Sequence, residues 1–212
     1  MSVSGTAEAL HEPWRSLRRQ REGTSFGTWV FLGSELMMFG GLVLIYAVNR
    51  ALHPDAFTAG GRETSLIYGT VNTAVLLTSS LTMAVGSEAA RAGLRRLALR
   101  TLLATIALGC TFLAVKGFEY NEDIAKGMIP GPGFPLEEPA AQIFWALYWI
   151  MTALHALHLT VGIGLVSIFT YQYWKLERLH QSPAFEGTAL YWHLVDIIWI
   201  FLYPLFYLMG RS

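Results

Sequence analysis

The fold of this chain is decided near its C-terminus, in residues 186–209, which read EGTALYWHLVDIIWIFLYPLFYLM. The stretch is long enough and apolar enough to cross a bilayer, since about 20 apolar residues form one transmembrane helix. His193 and Asp196 nevertheless lie one helical turn apart within it. Ionisable side chains at membrane depth are costly unless they are paired or face away from lipid. The stretch therefore predicts a membrane helix that turns its polar residues towards other helices.

The composition indicates that most of the chain is embedded in a membrane. Of its 212 residues, 53% are hydrophobic and only 14% are charged, whereas about 25% are charged in an ordinary soluble domain. The net charge of zero gives no indication of a nucleic-acid or acidic partner. Cys110 is the only cysteine, so neither a disulfide framework nor a cysteine metal site is predicted.

Hydrophobic runs of sufficient length occur five times along the chain. Each run should be helical, because backbone polar groups in hydrocarbon must be satisfied within their own segment. We therefore predict an all-α fold, a polytopic membrane bundle of five transmembrane helices. The predicted spans cover about residues 26–51, 66–85, 97–118, 141–174 and 188–209.

Lysine and arginine residues predict the orientation of the bundle. Ten of them lie in the N-terminal head and in the loops after the second and fourth spans, and four lie on the opposite side. The positive-inside rule then places the N-terminus in the cytoplasm and the C-terminus outside. Residues 1–24 are polar and lack an apolar core, so no cleavable signal peptide is expected. We predict a mobile cytoplasmic head at 1–24 and a membrane domain at 25–212.

Glu35 lies near the middle of the first predicted span, in GTWVFLGSELMMFGG. A central acidic residue costs about 2.5–3.5 kcal/mol on insertion scales, so its side chain should face protein, water or a lipid headgroup. Two interpretations stay open. Glu35 is either a site linked to protons or specific lipid, or a protonated acid that donates one hydrogen bond to a neighbouring helix.

Two further polar pairs occur at helical spacing. Lys116 and Glu119, at the end of the third span, predict an ion pair at the membrane interface, with contact to a partner subunit as the alternative. His155 and His158, in the fourth span, are spaced so that they could share a metal ion. Few further ligands accompany them, so we predict neutral histidines that are hydrogen-bonded between helices.

Five blocks of the sequence together match a known pattern: WVFLGSELMMFGG, NTAVLLTSS, GFEYNEDI, LHALHLTVG and YWHLVDIIWIFLYP. In these blocks the chain resembles subunit III of the haem–copper oxidases, the cytochrome c and quinol oxidases that reduce dioxygen. The resemblance covers most of residues 26–210 and is most specific in the last span.

The resemblance implies an accessory subunit of a respiratory complex in the bacterial inner membrane. Such a subunit carries no haem or copper, which belong to partner subunits I and II, and it has no catalytic or metal-binding residue of its own. It packs against subunit I, holds phospholipid in a cleft, and supports assembly, proton uptake and sustained turnover. Glu35 matches the family's intramembrane glutamate near that cleft. A structural polar network is implied for Glu119, His155, His158, Glu186, His193 and Asp196.

Departures from the family pattern leave other functions open. Ala156 stands where the family usually has glycine between its two histidines, and residues 50–60 and 202–210 resemble a branch associated with bacterial nitric oxide reductase. A companion subunit of that reductase is therefore the second interpretation. From other classes, a membrane metalloenzyme that uses the histidines and a small proton-coupled transporter centred on Glu35 remain alternatives.

Overall fold

The computed structural model describes residues 17–136, 138–176 and 183–211, and within them the regular structure is entirely helical. Five of the helices are long and apolar enough to cross a membrane, which confirms the predicted all-α bundle with five spans. The helices are α1 (Leu17–Leu52), α2 (Pro54–Glu63), α3 (Leu66–Arg91), α4 (Arg95–Ala125), α5 (Ala141–Leu176) and α6 (Pro183–Tyr203), followed by a π-helical turn (Pro204–Leu208).

Helix α6 is the centre of the bundle. It packs against α1, α3 and α5, and 44% of its apolar stretch is buried, compared with 17% for α1. Trp192 and Trp199 are each only 1% exposed, so the aromatic residues of the C-terminal stretch fill the space between the helices. Pro204 has no backbone N–H and interrupts the helical hydrogen-bond ladder. The widened turn that follows directs Phe206 and Tyr207 into the interior.

Helices α3 and α4 form an antiparallel hairpin with the most extensive contact in the bundle. The turn between them is tight: Gly93 has φ +72°, and the Leu94 N–H donates to the Ala89 carbonyl at 2.8 Å. A left-handed glycine just after the last helical turn is a common way to end a helix. Ser80 lies on α3 and Lys116 on α4, and both residues form polar contacts with other side chains inside the bundle.

The short loop that contains RALHPDAFTAG in the sequence is mostly helical. Pro54 occupies the first turn of α2, where its missing N–H costs no helical hydrogen bond. The helix lies directly against the end of the chain, because a Cβ atom built on Gly61 would be 2.9 Å from the Cα of Gly210. The Thr64 hydroxyl is 2.9 Å from the Phe206 carbonyl, and the Arg211 side chain donates to the Tyr207 carbonyl at 2.8 Å.

Several predicted boundaries differ from the structure, most of all the start of the first span and the end of the third. Helix α1 begins at Leu17, so residues 17–24 of the predicted head are helical, and α4 continues to Ala125, beyond the predicted end of the third span. Polar side chains can extend a membrane helix beyond the bilayer, which hydropathy alone does not register. The division of the chain at residue 24, the mobility of the head and the orientation of the termini stay predictions, and residues 1–16 lie outside the described part.

Candidate functional site

The predicted intramembrane glutamate is paired with a histidine. The Oε2 atom of Glu35, on α1, lies 2.7 Å from the Nε2 atom of His158, on α5, and their side chains are 15% and 14% exposed. The Nδ1 atom of His158 is 2.7 Å from the Leu154 carbonyl oxygen. A carbonyl can only accept, so Nδ1 carries a hydrogen. The contact between Nε2 and Oε2 then holds one proton, either as an ion pair or as an acid bonded to a neutral imidazole.

Aromatic side chains hold this Glu35–His158 pair in position. The Phe39 ring packs edge-on against the His158 ring at a centroid distance of 5.5 Å. The Tyr191 hydroxyl, from α6, donates to the His158 carbonyl at 3.0 Å. Three helices therefore meet at the pair, and α1, which has the least buried span, is tied to the bundle here.

Two apolar cavities flank the pair along α1. One, of about 430 Å³, lies between α1, α5 and α6 and is lined by residues that include Phe31, Leu32 and Tyr191. The other, of about 190 Å³, lies between α1 and α6 and is lined by residues that include Leu36, Phe39 and Ile198. Glu35 thus lies between the residues that line one cavity and those that line the other.

The two polar residues of the central helix do not bond to each other. The Nδ1 atom of His193 is 2.8 Å from the Ser80 hydroxyl, so His193 joins α6 to α3. Asp196 is 3% exposed, and neither carboxyl oxygen has a hydrogen-bond partner among the described residues. The Ser80 hydroxyl lies near this carboxyl group but outside hydrogen-bonding geometry.

The prediction that both histidines of α5 are hydrogen-bonded between helices holds for His158 and is wrong for His155. His155 is fully buried, and both of its ring nitrogens are without a hydrogen-bond partner in the described part of the chain. Its ring lies between Phe112 and Trp199, at centroid distances of 5.5 and 5.1 Å. The physical reason is this aromatic environment, which offers ring faces and no acceptor. Across the described residues, no group of three or more His, Cys, Asp or Glu side chains could hold a metal ion.

The predicted ion pair between Lys116 and Glu119 is formed. Lys116 Nζ is 3.0 Å from Glu119 Oε2, and both side chains are almost fully buried between the helices. Tyr148 and Tyr207 bond to both residues, and the sequence interpretation did not include either tyrosine. Tyr148 lies seven residues before His155, about two helical turns away on the same face of α5. This spacing could have identified Tyr148 as a residue that faces the interior. Tyr207 lies within the π-helical turn, where ordinary helical spacing fails.

Glu186 does not belong to the internal network. Its carboxylate is 3.2 Å from an Arg91 nitrogen, and the two side chains are 53% and 48% exposed. Arg91 also bonds to Glu88 at 2.8 Å. Exposed ion pairs contribute little to stability, about 0–1 kcal/mol.

The residues of the implied polar network therefore do not form one connected set. Glu119, His158 and His193 each take part in a separate interior contact, and Glu186 forms an exposed ion pair. His155 and Asp196 are buried without a hydrogen-bond partner in the described part of the chain.

These features define a polytopic α-helical membrane protein whose helices are joined through buried polar side chains. Comparison with known proteins gives the family. The family model for cytochrome c oxidase subunit III matches residues 15–211. The chain is 32% identical over 190 residues to cytochrome c oxidase subunit 3 of Thermostichus vulcanus, with 87% of each chain covered. It is 31% identical over 212 residues to a probable cytochrome c oxidase subunit 3 of Nocardia farcinica, with 97% of each covered.

The chain is also similar to a subunit 3 of a ubiquinol oxidase. The chain is 29% identical over 189 residues to the cytochrome bo(3) ubiquinol oxidase subunit 3 of Pseudomonas aeruginosa, with 88% of this chain and 85% of the relative covered. The chain belongs to the cytochrome c oxidase subunit III family. It is an accessory subunit III of a haem–copper oxidase, and thus one member of a multisubunit respiratory complex in a membrane.

Proposed function

We propose that this chain packs against the haem-bearing subunit I, together with subunit II, and keeps the oxidase active over many turnovers. The observation that carries the proposal is the Glu35–His158 pair, which shares one proton at 2.7 Å and remains partly exposed. A proton held between two side chains can be exchanged with water or with a neighbouring group. Glu35 then supports proton uptake by subunit I, while haem and copper stay in the partner subunits.

We further propose that phospholipid occupies the cavities on either side of Glu35. Their walls are almost entirely apolar and are formed by the membrane helices α1, α5 and α6. Acyl chains in these cavities would join α1 to the rest of the bundle. Loss of the lipid would loosen the helix that carries Glu35.

The orientation and the bacterial inner-membrane location are also proposals. The basic end of the α3–α4 hairpin meets the end of α5, where an Arg95 guanidinium nitrogen donates to the Trp174 carbonyl at 2.6 Å. Lys175 is at this same end, and Arg178 lies outside the described residues. The positive residues that these helices carry at one end support a cytoplasmic position for that end. The C-terminus would then be outside.

Purification of the intact complex tests the partnership. A tag on this chain should co-purify a haem-bearing subunit I, and a copper-binding subunit II would indicate a cytochrome c oxidase. A cytochrome c subunit with a nitric oxide reductase core would instead support the alternative companion function. Recovery of this chain alone, under conditions that keep membrane complexes intact, would contradict the proposal.

Lipid analysis of the same preparations tests the second part. Phe31→Trp and Leu36→Trp place bulk in the two cavities and should each reduce the phospholipid retained per complex. Ile124→Trp, on an exposed position of α4, is the matched control and should leave the retained lipid unchanged. Equal lipid content in all three variants would contradict lipid binding at the cavities.

A further inference from the structure

A second polar site lies away from Glu35 and is not explained by the proposed function. We name it the lysine cluster: Lys116, Glu119 and Asp123 on α4, Tyr148 on α5 and Tyr207 in the π-helical turn. No member is more than 2% exposed. A buried set of ionisable groups must satisfy its hydrogen bonds internally, so its hydrogen atoms can be counted.

The ammonium group of Lys116 is saturated. It has three hydrogens and three acceptors: Glu119 Oε2 at 3.0 Å, the Tyr148 hydroxyl at 2.9 Å and the Tyr207 hydroxyl at 2.7 Å. The ammonium therefore has no hydrogen left for Asp123. The Tyr207 hydroxyl hydrogen is also assigned, since Tyr207 donates to Glu119 Oε1 at 2.7 Å.

Tyr148 has one hydroxyl hydrogen for two carboxyl contacts. Its oxygen lies 3.0 Å from Glu119 Oε1 and 2.9 Å from Asp123 Oδ2. If both groups were ionised, one of these contacts would join two oxygens with no hydrogen between them. Such a contact would be repulsive in a site that excludes water. The cluster therefore needs one more hydrogen than the Lys116 ammonium and the two tyrosine hydroxyl groups supply.

We infer that the lysine cluster binds one additional proton, carried by Asp123 Oδ2 and donated to the Tyr148 hydroxyl. Glu119 keeps its negative charge because the Lys116 ammonium contacts it directly, whereas Asp123 bonds to the cluster only through Tyr148. Tyr148 then accepts from Lys116 and Asp123 and donates to Glu119, which fills both lone pairs and the one hydrogen. The cation and the single carboxylate cancel, and burial of a neutral set avoids the cost of an unpaired charge.

The neighbours of Asp123 are consistent with this assignment. The positive charge of Lys126 also favours a negative charge on the Asp123 carboxyl group. Lys126 is exposed, however, and solvent screens this electrostatic attraction. The titratable groups around Asp123 are Lys116, Glu119, Tyr120 and Lys126 on α4, Tyr148 on α5 and Tyr207 in the π-helical turn. The site is thus a proton-binding carboxyl on α4, separate from the proton shared between α1 and α5.

Infrared spectroscopy of the purified oxidase complex tests the assignment. A protonated carboxyl group has a C=O stretching band that a carboxylate lacks, so Asp123→Asn should remove one acid band present in the parent complex. Glu119→Gln should leave that band in place. Loss of a carboxylate band in Asp123→Asn, or loss of the acid band in Glu119→Gln instead, would overturn the inference.

Tyr148→Phe gives an independent result if Asp123→Asn does not assemble. Removal of the hydroxyl takes away the acceptor of the Asp123 proton, so the acid band should move to higher frequency. An acid band at the parent frequency in this variant would overturn the inference. Transfer into D₂O should lower the same band slightly, as expected for an O–H group that exchanges.

Discussion

The Nε2 atom of His158 lies 2.7 Å from the Oε2 atom of Glu35, and this contact joins the least buried spanning helix to α5. The imidazole is fixed in orientation by its second nitrogen, which donates to the Leu154 carbonyl. A carboxyl group that would be costly alone in the membrane is thereby given a partner and a shared proton. This pair is the observation on which the proposed role of Glu35 rests.

Removal of the imidazole should weaken the attachment of α1. His158→Ala leaves the Glu35 carboxyl without its partner, which costs about 1–3 kcal/mol for a buried hydrogen-bonding group. We expect a lower melting temperature for subunit III in the complex. His53→Ala, at an exposed position before α2, is the control and should have almost no effect. Equal melting temperatures for both variants would show that the pair does not stabilise α1.

Loss of one partner from the buried Lys116–Glu119 pair should destabilise the protein far more than loss of one partner from the exposed Arg91–Glu186 pair. Lys116→Met leaves Glu119 as an uncompensated buried charge, and the loss of one partner from a buried pair costs about 3–5 kcal/mol. We expect this variant to assemble poorly or to melt at a much lower temperature. Arg91→Met breaks the exposed contact with Glu186 and should cost at most about 1 kcal/mol. Similar losses for the two variants would contradict the difference in burial.

The close approach of α2 to the C-terminus should not tolerate a methyl group. In Gly61→Ala, the added Cβ would lie 2.9 Å from the Gly210 Cα atom, a backbone neighbour that cannot rotate away. Overpacking of this kind costs about 1–3 kcal/mol. Gly33→Ala is the matched control, since nothing lies within 4 Å of its added Cβ. Thermal denaturation of both variants measures the difference, and an unchanged Gly61→Ala variant would refute the contact.

The sequence was sufficient for the fold because length and hydropathy determine membrane helices almost directly. All five spans follow from apolar runs of the required length. Helix α2 was not predicted, since ten residues with two glycines and a proline read as a loop until they pack against the C-terminus. It packs against α5, where Phe57 contacts Phe144, and against residues near the C-terminus about 150 positions away, and periodicity reveals neither contact.

The polar sites were only partly predictable. Helical spacing identified the Lys116–Glu119 pair because both residues are on one helix. The partner of Glu35 could not be identified from the sequence, because His158 lies 123 residues later and only the packing of α1 on α5 brings the two residues together. His193 does face another helix, as the sequence predicted, but its partner Ser80 could not be identified from the C-terminal stretch alone. The hydrogen-bond partner of a side chain on one helix depends on which helix packs beside it. The sequence of a single segment does not contain that information.

Sustained turnover of the complete oxidase is the most direct measurement of the proposed role of Glu35. Glu35→Gln keeps the size and hydrogen bonding of the side chain but cannot release a proton. We predict a near-normal initial rate of oxygen consumption, followed by inactivation after several-fold fewer turnovers than in the parent complex, whereas Glu186→Gln behaves like the parent. A turnover lifetime equal to that of the parent, or an immediate loss of all activity together with haem, would contradict the proposed role.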